Sequence, residues 1–308
     1  MDVTSERYEA VIVGGGPAGL SAALALGRAC RRVALFDDGK PRNGPARSMH
    51  GYLSRDGIAP STFLAIARRQ LRRYPNVQVR EGRIERAERG VGGFTLTAQD
   101  GERIVTGRVL LANGIKDVLP AIENIMDFWG KSAFVCPFCD GWEIRRKKTI
   151  VYGDAVRALD LAQELMAWTK NIMICATGAG ELGERQRRWL AAAKVRLEEA
   201  RIEKLLGGAG RLHEVVLSSG RRMRCRALFL TTPERQACDL SRQLGCKRRD
   251  SGALEVDELG RTSVPGCYGA GDAITTLHQV GEAAASGVRS AVAIVRDLTD
   301  EAACTLCD

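Results

Sequence analysis

Glu9-Ala-Val-Ile-Val-Gly14-Gly15-Gly16-Pro17-Ala18-Gly19 decides the fold, together with the helical pattern Leu20 to Ala29 and the run Arg32-Val-Ala-Leu-Phe36 that ends at Asp37. The apolar stretch from Glu9 to Val13 reads as a buried parallel strand, and a second strand follows the helix. Between them Gly14 permits a tight turn, Gly16 lets a pyrophosphate approach the backbone, and Gly19 lets the helix pack closely on the strand. The helix start offers free N–H groups and the positive end of its dipole to phosphates. Asp37 is placed to accept hydrogen bonds from a ribose hydroxyl. Strand, glycine turn, helix and acid in register define a dinucleotide-binding unit.

Toward the other end lies Gly260-Arg-Thr-Ser-Val-Pro-Gly-Cys-Tyr-Gly-Ala-Gly271-Asp272, followed by a helical segment from His278 to about Arg296. A strand ending in Gly269-Ala-Gly271-Asp272 and leading into a small-residue helix resembles the second FAD-binding motif of flavoproteins with two dinucleotide domains. That resemblance implies that Asp272 holds the ribityl or phosphate portion of FAD. It also implies that the helix beginning near Gln279 and Val280 presents backbone N–H groups to the flavin ring. The FAD domain is then split around an insertion. In the insertion, Lys148-Thr-Ile-Val-Tyr152 reads as a strand, Val156 to Trp168 as a helix and Asn171-Ile-Met-Ile174 as a further strand, a partial repeat of the first unit. The expected fold class is α/β: two Rossmann-like, three-layer ββα domains, the second inserted into the FAD domain. The expected segments are 1–117, 118–249 and 250–308, with joints near Asp117 to Pro120 and Arg249 to Gly252. The expected FAD-binding residues are Gly14, Gly16, Pro17, Ala18, Gly19, Asp37, Arg42, Gly271, Asp272, Gln279 and Val280.

Val135-Cys136-Pro-Phe-Cys139-Asp140-Gly-Trp-Glu143 carries the chemistry. Two cysteines at this spacing can close a small disulfide, and a helix start lowers the first thiol's pKa. Asp140 is a candidate proton donor and acceptor for thiolate exchange. A structural zinc site using these cysteines with the tail pair Cys304 and Cys307 is the competing reading. The two pairs, however, lie far beyond the usual gap of about 15–20 residues. No metal is expected.

Gly14-Gly-Gly-Pro-Ala-Gly19, Cys136-Pro-Phe-Cys139-Asp140-Gly141 and Gly269-Ala-Gly-Asp272 together make the chain resemble the low-molecular-weight thioredoxin reductases over essentially its whole length. The resemblance implies that Cys139 faces the flavin, that Cys136 exchanges with substrate, that Asp140 is the acid–base group and that the protein is a homodimer. The family takes electrons from NADPH bound in the inserted domain, and here the pattern breaks. The second fingerprint reads Gly153-Asp-Ala155-Val-Arg-Ala158, with a methyl group where a pyrophosphate must approach. The cofactor-selecting segment Cys175-Ala-Thr-Gly-Ala-Gly180 has neither a basic cluster for NADPH nor an acid for NAD. Arg185, Arg187 and Arg188 come later and would have to reach back. The inserted domain is then expected to have weak or no nicotinamide binding.

Cys-Pro-aromatic-Cys followed by Gly-Trp-Glu, with Pro41-Arg42-Asn43 and Met49-His50-Gly51 upstream, also looks like the thioredoxin-reductase-like dithiol oxidases. Those enzymes oxidise small dithiols and pass the electrons to oxygen. His278 stands where ordinary thioredoxin reductases carry arginine. His278 and His50 are therefore candidate bases for an incoming dithiol, against the plainer reading of histidines satisfied locally. Cys304 and Cys307 are either a second electron shuttle or an inconsequential tail. The expected function is an FAD-dependent thiol–disulfide oxidoreductase running as a dithiol oxidase. The alternatives are a disulfide reductase fed by ferredoxin or weakly bound NADPH, and a non-enzymatic redox sensor.

With 308 residues, 45% of them hydrophobic, the chain suits about two domains. It contains no apolar run of membrane-spanning length and no leader-like N-terminus, so a cytoplasmic location is expected. In a reducing compartment the other cysteines, Cys30, Cys175, Cys225, Cys238, Cys246 and Cys267, read as small core residues. The net charge of +9 comes from scattered Arg-rich clusters. These read as solvated faces, or as steering for an acidic thioredoxin-like or ferredoxin-like partner. With only 5% aromatic residues, stacking on single-stranded nucleic acid is disfavoured. The expected partner is a small-molecule dithiol or such an acidic protein, with neither nucleic acid nor membrane.

Overall fold

The computed structural model describes residues 8–176 and 182–307, with side chains in the final helix to residue 304. The chain forms two compact units: Met1–Arg42, Ser61–Lys116 and Glu234–Asp308 make the first, and Asn43–Pro60 with Asp117–Pro233 make the second.

The first unit contains β1 (Ala10–Val13), α1 (Pro17–Arg28), β2 (Val33–Asp37), α2 (Pro60–Leu71), β3 (Val77–Glu81), β4 (Ile84–Gly90), β5 (Gly93–Ala98), β6 (Arg103–Thr106), β7 (Val109–Leu111) and β8 (Ile115–Asp117). After the second unit the chain returns as β17 (Glu234–Gln236), which pairs with β8, then α7 (Leu240–Gln243), β18 (Cys267–Gly269) and α8 (Val280–Cys307). Five strands pair in parallel in the order β18-β7-β1-β2-β3, and β4-β5-β6 form an antiparallel sheet. The period of two along each strand makes three layers. Ala10, Ile12, Val33 and Leu35 pack with Leu20, Ala23 and Leu26 of α1 and Ile294 of α8. Val11, Val13, Ala34 and Phe36 face the other way, against Phe94, Leu96 and Ile104 of the antiparallel sheet.

The second unit repeats this design. It runs through α3 (Ile125–Phe128), β9 (Ala133–Phe134), α4 (Pro137–Asp140), β10 (Thr149–Gly153), α5 (Ala155–Leu165), β11 (Ile172–Ala176), α6 (Glu184–Ala193), β12 (Arg196–Glu198), β13 (Ile202–Gly208), β14 (Arg211–Leu217), β15 (Arg222–Arg224) and β16 (Ala227–Leu230). Its parallel order is β12-β11-β10-β16-β9, backed by antiparallel β13-β14-β15. Val151 and Ile174 pack with Ala158, Leu159 and Ala162 of α5 on one face. Ile150 and Met173 meet Leu205, Val215 and Leu217 on the other. The fold is thus two Rossmann-type ββα layers, the second interrupting the first.

Residues 234–249, assigned from sequence to the insertion, pack with the first unit: Gln243 accepts from the Ala87 N–H at 2.8 Å and donates to the Glu85 carbonyl at 3.0 Å. Residues 43–60 pack with the second. Helix α8 runs past Arg296 to Cys307, with Thr299 and Glu301 taking Arg31 and Arg108. Cys175, Cys225, Cys246 and Cys267 are buried and Cys238 half-buried, but Cys30 is exposed, contrary to its reading as a core residue. It follows α1 with φ at +59°, a turn position outside the packed face.

Candidate active site

The first fingerprint makes an open anion cradle. Gly14 has φ of +109°, and a Cβ there would run into the Ala112 carbonyl. A Cβ on Gly19 would strike the Gly14 carbonyl, so only glycine lets α1 sit this close to the turn. Gly16 caps α1 with no side-chain hydrogen bond, Pro17 and Ala18 open the helix, and no atom lies within 4 Å of where a Gly16 Cβ would stand. The cap thus offers the first N–H groups of α1 no side-chain acceptor and leaves room beside Gly16, as binding a pyrophosphate requires. Asp37 ends β2 beside Gly15, and Arg68 pairs with it.

At the second motif, Gly271, with φ of +70°, donates its N–H to Ser286 Oγ at 2.9 Å. Asp272 follows it, 3.5 Å from Arg42 Nη1. Arg42 also binds Glu234 Oε1 at 2.7 Å, and Glu234 lies 3.3 Å from His278 Nδ1. The other His278 nitrogen is 3.0 Å from the Thr275 carbonyl oxygen. Burial raises the Asp272 carboxyl, and His278 and Arg42 hold the rise in check. Burial lowers His278, but the Glu234 hydrogen bond and the charges of Asp272 and Glu234 outweigh it, for a net rise. Gln279 and Val280 open α8 and are half-buried. Glu234, which binds two site residues, carries no local motif. These residues suit FAD: a bare helix start for its phosphates, a strand-end acid for its ribose and a partly exposed Arg-carboxylate-His group at the second motif.

The second unit carries the sulfur centre. Cys136 and Cys139 form a disulfide with Cα atoms 5.3 Å apart. Pro137 starts α4 with its fixed φ, Cys136 caps it, and Cys136 Sγ accepts the Cys139 N–H at 3.2 Å. Gly141 is required because a Cβ would strike the Pro137 carbonyl and the Trp168 ring. Phe138 and Trp142, in and just after α4, are 66% and 64% exposed. Burial pushes the Asp140 carboxyl up to about 7, Glu143 pushes the same way, and His50 opposes both. His50 Nε2 lies 3.6 Å from Glu143 Oε1, and Nδ1 lies 3.4 Å from Asp56 Oδ1, which also accepts the Gly51 N–H at 2.9 Å. His50 thus joins Asp140 in one unit, whereas His278 belongs to the other. Glu143 was legible only as part of the Gly-Trp-Glu run and Asp56 not at all, since the pairing of Glu143 with His50 spans about ninety residues of chain.

The second fingerprint differs at its helix start. Gly153 matches Gly14: the Thr231 N–H donates to the Tyr152 carbonyl as the Ala112 N–H donates to Val13. Here, however, the cap is Asp154, whose Oδ1 accepts the N–H groups of Val156 at 3.1 Å and Arg157 at 3.2 Å. Asp154 aligns with Gly15 and Ala155 with Gly16, but α5 starts one residue earlier, so its cap is a carboxylate that already accepts two of its first N–H groups, whereas the cap of α1 is a bare glycine; an aspartate just before a helix is the signal that reveals it. Ala155 is buried. Residues 177–180 of the cofactor-selecting segment lie outside the described residues. Arg187 Nε donates to the Leu182 carbonyl at 2.9 Å. Cys304 is exposed on α8, and the Cys307 side chain lies outside the description. Among the described residues no group of three or more His, Cys, Asp or Glu is placed to hold a metal, and no helix is long and apolar enough to cross a membrane.

A two-dinucleotide fold with an open FAD cradle and a Cys136–Cys139 disulfide defines a flavin-dependent disulfide oxidoreductase. The chain belongs to the family described as pyridine nucleotide-disulphide oxidoreductase, whose model matches residues 8–287, within the thioredoxin reductase-like flavoproteins; its cofactor is FAD and it acts on sulfur groups. It is 31% identical over 303 residues to thioredoxin reductase sirT of Leptosphaeria maculans, covering 91% of each chain. Its structure is similar to that of HlmI, with TM-score 0.91, 33% identity and coverage of 97% and 95%. It is also similar to an oxidoreductase from Agrobacterium tumefaciens, with TM-score 0.87, 34% identity and coverage of 95% and 99%.

Proposed function

We propose that the protein is a dithiol oxidase: it takes electrons from a small dithiol rather than from NADPH, and oxygen is the final acceptor. The observation that carries this reading is the contrast between the two helix starts. Gly16 leaves the α1 N–H groups open, whereas Asp154 fills those of α5 with a negative charge. A second anion there would have to displace the cap and face its repulsion.

The chain's own steps are sulfur exchange. A substrate thiolate attacks Cys136 Sγ, forming a mixed disulfide and breaking the Cys136–Cys139 bond; Cys139 leaves with the electron pair and takes the Asp140 proton. The Asp140 carboxylate then accepts the proton of the second substrate thiol. That sulfur attacks the first substrate sulfur and expels Cys136 as a thiolate, which the Cys139 N–H is placed to receive and which recovers the proton shed by the first substrate thiol. The substrate loses two electrons and the pair gains two. FAD, when bound, supplies the two-electron acceptor that returns the pair to the disulfide. His278 is assigned to the FAD side, with Arg42, Glu234 and Asp272. The same reading places the protein in the cytosol as a homodimer.

Oxygen uptake by the purified holoprotein tests this. Uptake with dithiothreitol and none with NADPH is expected; NADPH consumption coupled to reduction of a thioredoxin-like disulfide would overturn it. A second reading, a reductase fed by an acidic ferredoxin-like donor, draws support from exposed Arg145, Arg146, Lys147 and Lys148 just after the sulfur motif. It is favoured if reduced ferredoxin opens the pair while dithiols consume no oxygen.

A further inference from the structure

Cys246 and Cys267 are free thiols that the exchange steps leave unused. They lie in the core of the first unit, 21 residues apart in the chain, with their sulfurs 3.7 Å apart. Hydrogen bonds fix both segments. The Cys246 N–H donates to the Ser241 carbonyl at 2.9 Å, and the Cys267 N–H to the Val264 carbonyl at 2.9 Å. The Lys247 N–H donates to Ser263 Oγ at 2.9 Å, which ties the Cys246 segment to the turn that carries Thr262. Thr262 completes the group: its hydroxyl donates to the Cys267 carbonyl at 2.9 Å and lies 3.7 Å from the Cys246 sulfur. Cysteines serving only as small core residues have no need to bring their sulfurs together. Here the sulfurs are in contact, and a bond needs them to close to about 2.05 Å.

The two thiols differ. Cys246 keeps 8% of its surface exposed and Cys267 only 1%. The hydrogen bond from Cys267 holds the Cys246 thiol down at about 7 against burial, and Thr262 and Arg248 act in the same direction. Cys267 is raised, by sharing its proton with Cys246 and by burial. Cys246 is thus the sulfur that reaches solvent and the first to become a thiolate.

We propose that Cys246 and Cys267 are a second redox-active pair, a modification site at which hydrogen peroxide closes a disulfide inside the FAD-binding unit. The Cys246 thiolate attacks one peroxide oxygen and becomes a sulfenic acid; the O–O bond breaks and the other oxygen leaves as hydroxide. That hydroxide takes the proton Cys246 gave up, making one water. The Cys267 sulfur then attacks the Cys246 sulfur. The S–S bond forms, the S–O bond breaks, and the departing hydroxide takes the Cys267 proton as the second water. The two sulfurs lose two electrons and peroxide gains two. A small dithiol reverses the bond by exchange. Because β18 runs from Cys267 into the Gly271-Asp272 motif, the modification falls beside the expected FAD site, in a different unit from Cys136.

The test treats the FAD-loaded protein with a few equivalents of hydrogen peroxide, removes the excess with catalase, alkylates the denatured protein and maps its peptides. A Cys246–Cys267 cross-link that dithiothreitol reverses is expected. It should form at least about tenfold faster than the thiol of Cys175, which burial pushes up to about 12, is lost. Cys267→Ser should leave Cys246 as a sulfenic acid that dimedone traps, and in Cys246→Ser the Cys267 thiol should stay free. Retained FAD shows that each variant is folded. The cross-link with these variant results supports the pair. Both thiols still alkylated, separate oxygen adducts on them, or loss of Cys175 at the same rate overturns it. Peroxide is added directly, so the outcome does not depend on whether the protein turns over dithiols.

Discussion

Cys136→Ser is expected to abolish dithiol turnover, by at least about a thousandfold, while FAD content stays at the level of the unaltered protein. The magnitude follows from chemistry: a serine oxygen can neither form the resting disulfide nor carry a mixed disulfide, so no bypass exists. Retention of FAD follows from the division of the chain. Gly14, Gly16, Gly19 and Asp37 belong to the first unit and Cys136 to the second. The substitution is small, and its backbone role in capping α4 passes to a serine that caps helices well. Cys139→Ser serves as the companion. It leaves Cys136 able to hold a mixed disulfide with an oxidised small dithiol, read as a mass increase of one dithiol. Substantial turnover by Cys136→Ser would remove this cysteine from the exchange and with it the proposed order of attack.

Asp140→Asn is expected to lower dithiol turnover by about a hundredfold and to remove the pH limb near 7. The amide keeps the shape but neither donates the proton that Cys139 needs nor accepts one from the second substrate thiol. The same substitution has the opposite effect on stability. Burial and Glu143 raise the folded-state carboxyl from 3.8 to about 7, so the native state holds its proton more tightly than the unfolded chain. This carboxyl therefore costs little below its unfolded value and increasingly more as pH climbs toward 7, where the cost levels off. Replacing it with an amide relieves that cost: Asp140→Asn should be more stable than the unaltered protein at pH 8 by about 1–3 kcal/mol, and close to equal at pH 4. Urea midpoints at the two pH values, measured with the disulfide intact, check the sign. A variant that keeps its turnover, or that loses stability at pH 8, would show that Asp140 is not a strained acid.

In each unit much of the candidate site was legible because its signals are local in the chain. Gly14 to Gly19 with Asp37 span one strand–turn–helix–strand unit, and Cys136 to Asp140 cap and form one short helix, so local spacing carries their geometry. The three-layer build was legible from strands and helices that repeat in the two halves. Pairings between distant segments were not legible. His50 with Glu143, and Arg42 with Glu234 and His278, depend on which loop folds over which sheet, and no periodicity records that. The segment 43–60 lies between two elements of the first unit in sequence, yet packs with the second. Residues 234–249 carry no glycine or proline signal strong enough to mark the return to the first unit at Glu234. Asp154 is a different case: its position immediately before a helix is a capping signal in plain view. It points the same way as the missing glycine at Ala155, and the cap is the more direct physical obstacle to a pyrophosphate.

The most direct test is anaerobic. The holoprotein is mixed with NADPH and, separately, with dithiothreitol, and the visible absorbance of its flavin is followed in time. Bleaching by the dithiol alone, with the colour restored by air, is the result the proposal predicts, in which Cys136 and Cys139 accept the dithiol's electrons and the Asp154 cap hinders nucleotide binding at the second fingerprint. Rapid bleaching by NADPH would contradict it, showing that the capped helix start still admits the nucleotide and that electrons run toward a disulfide substrate.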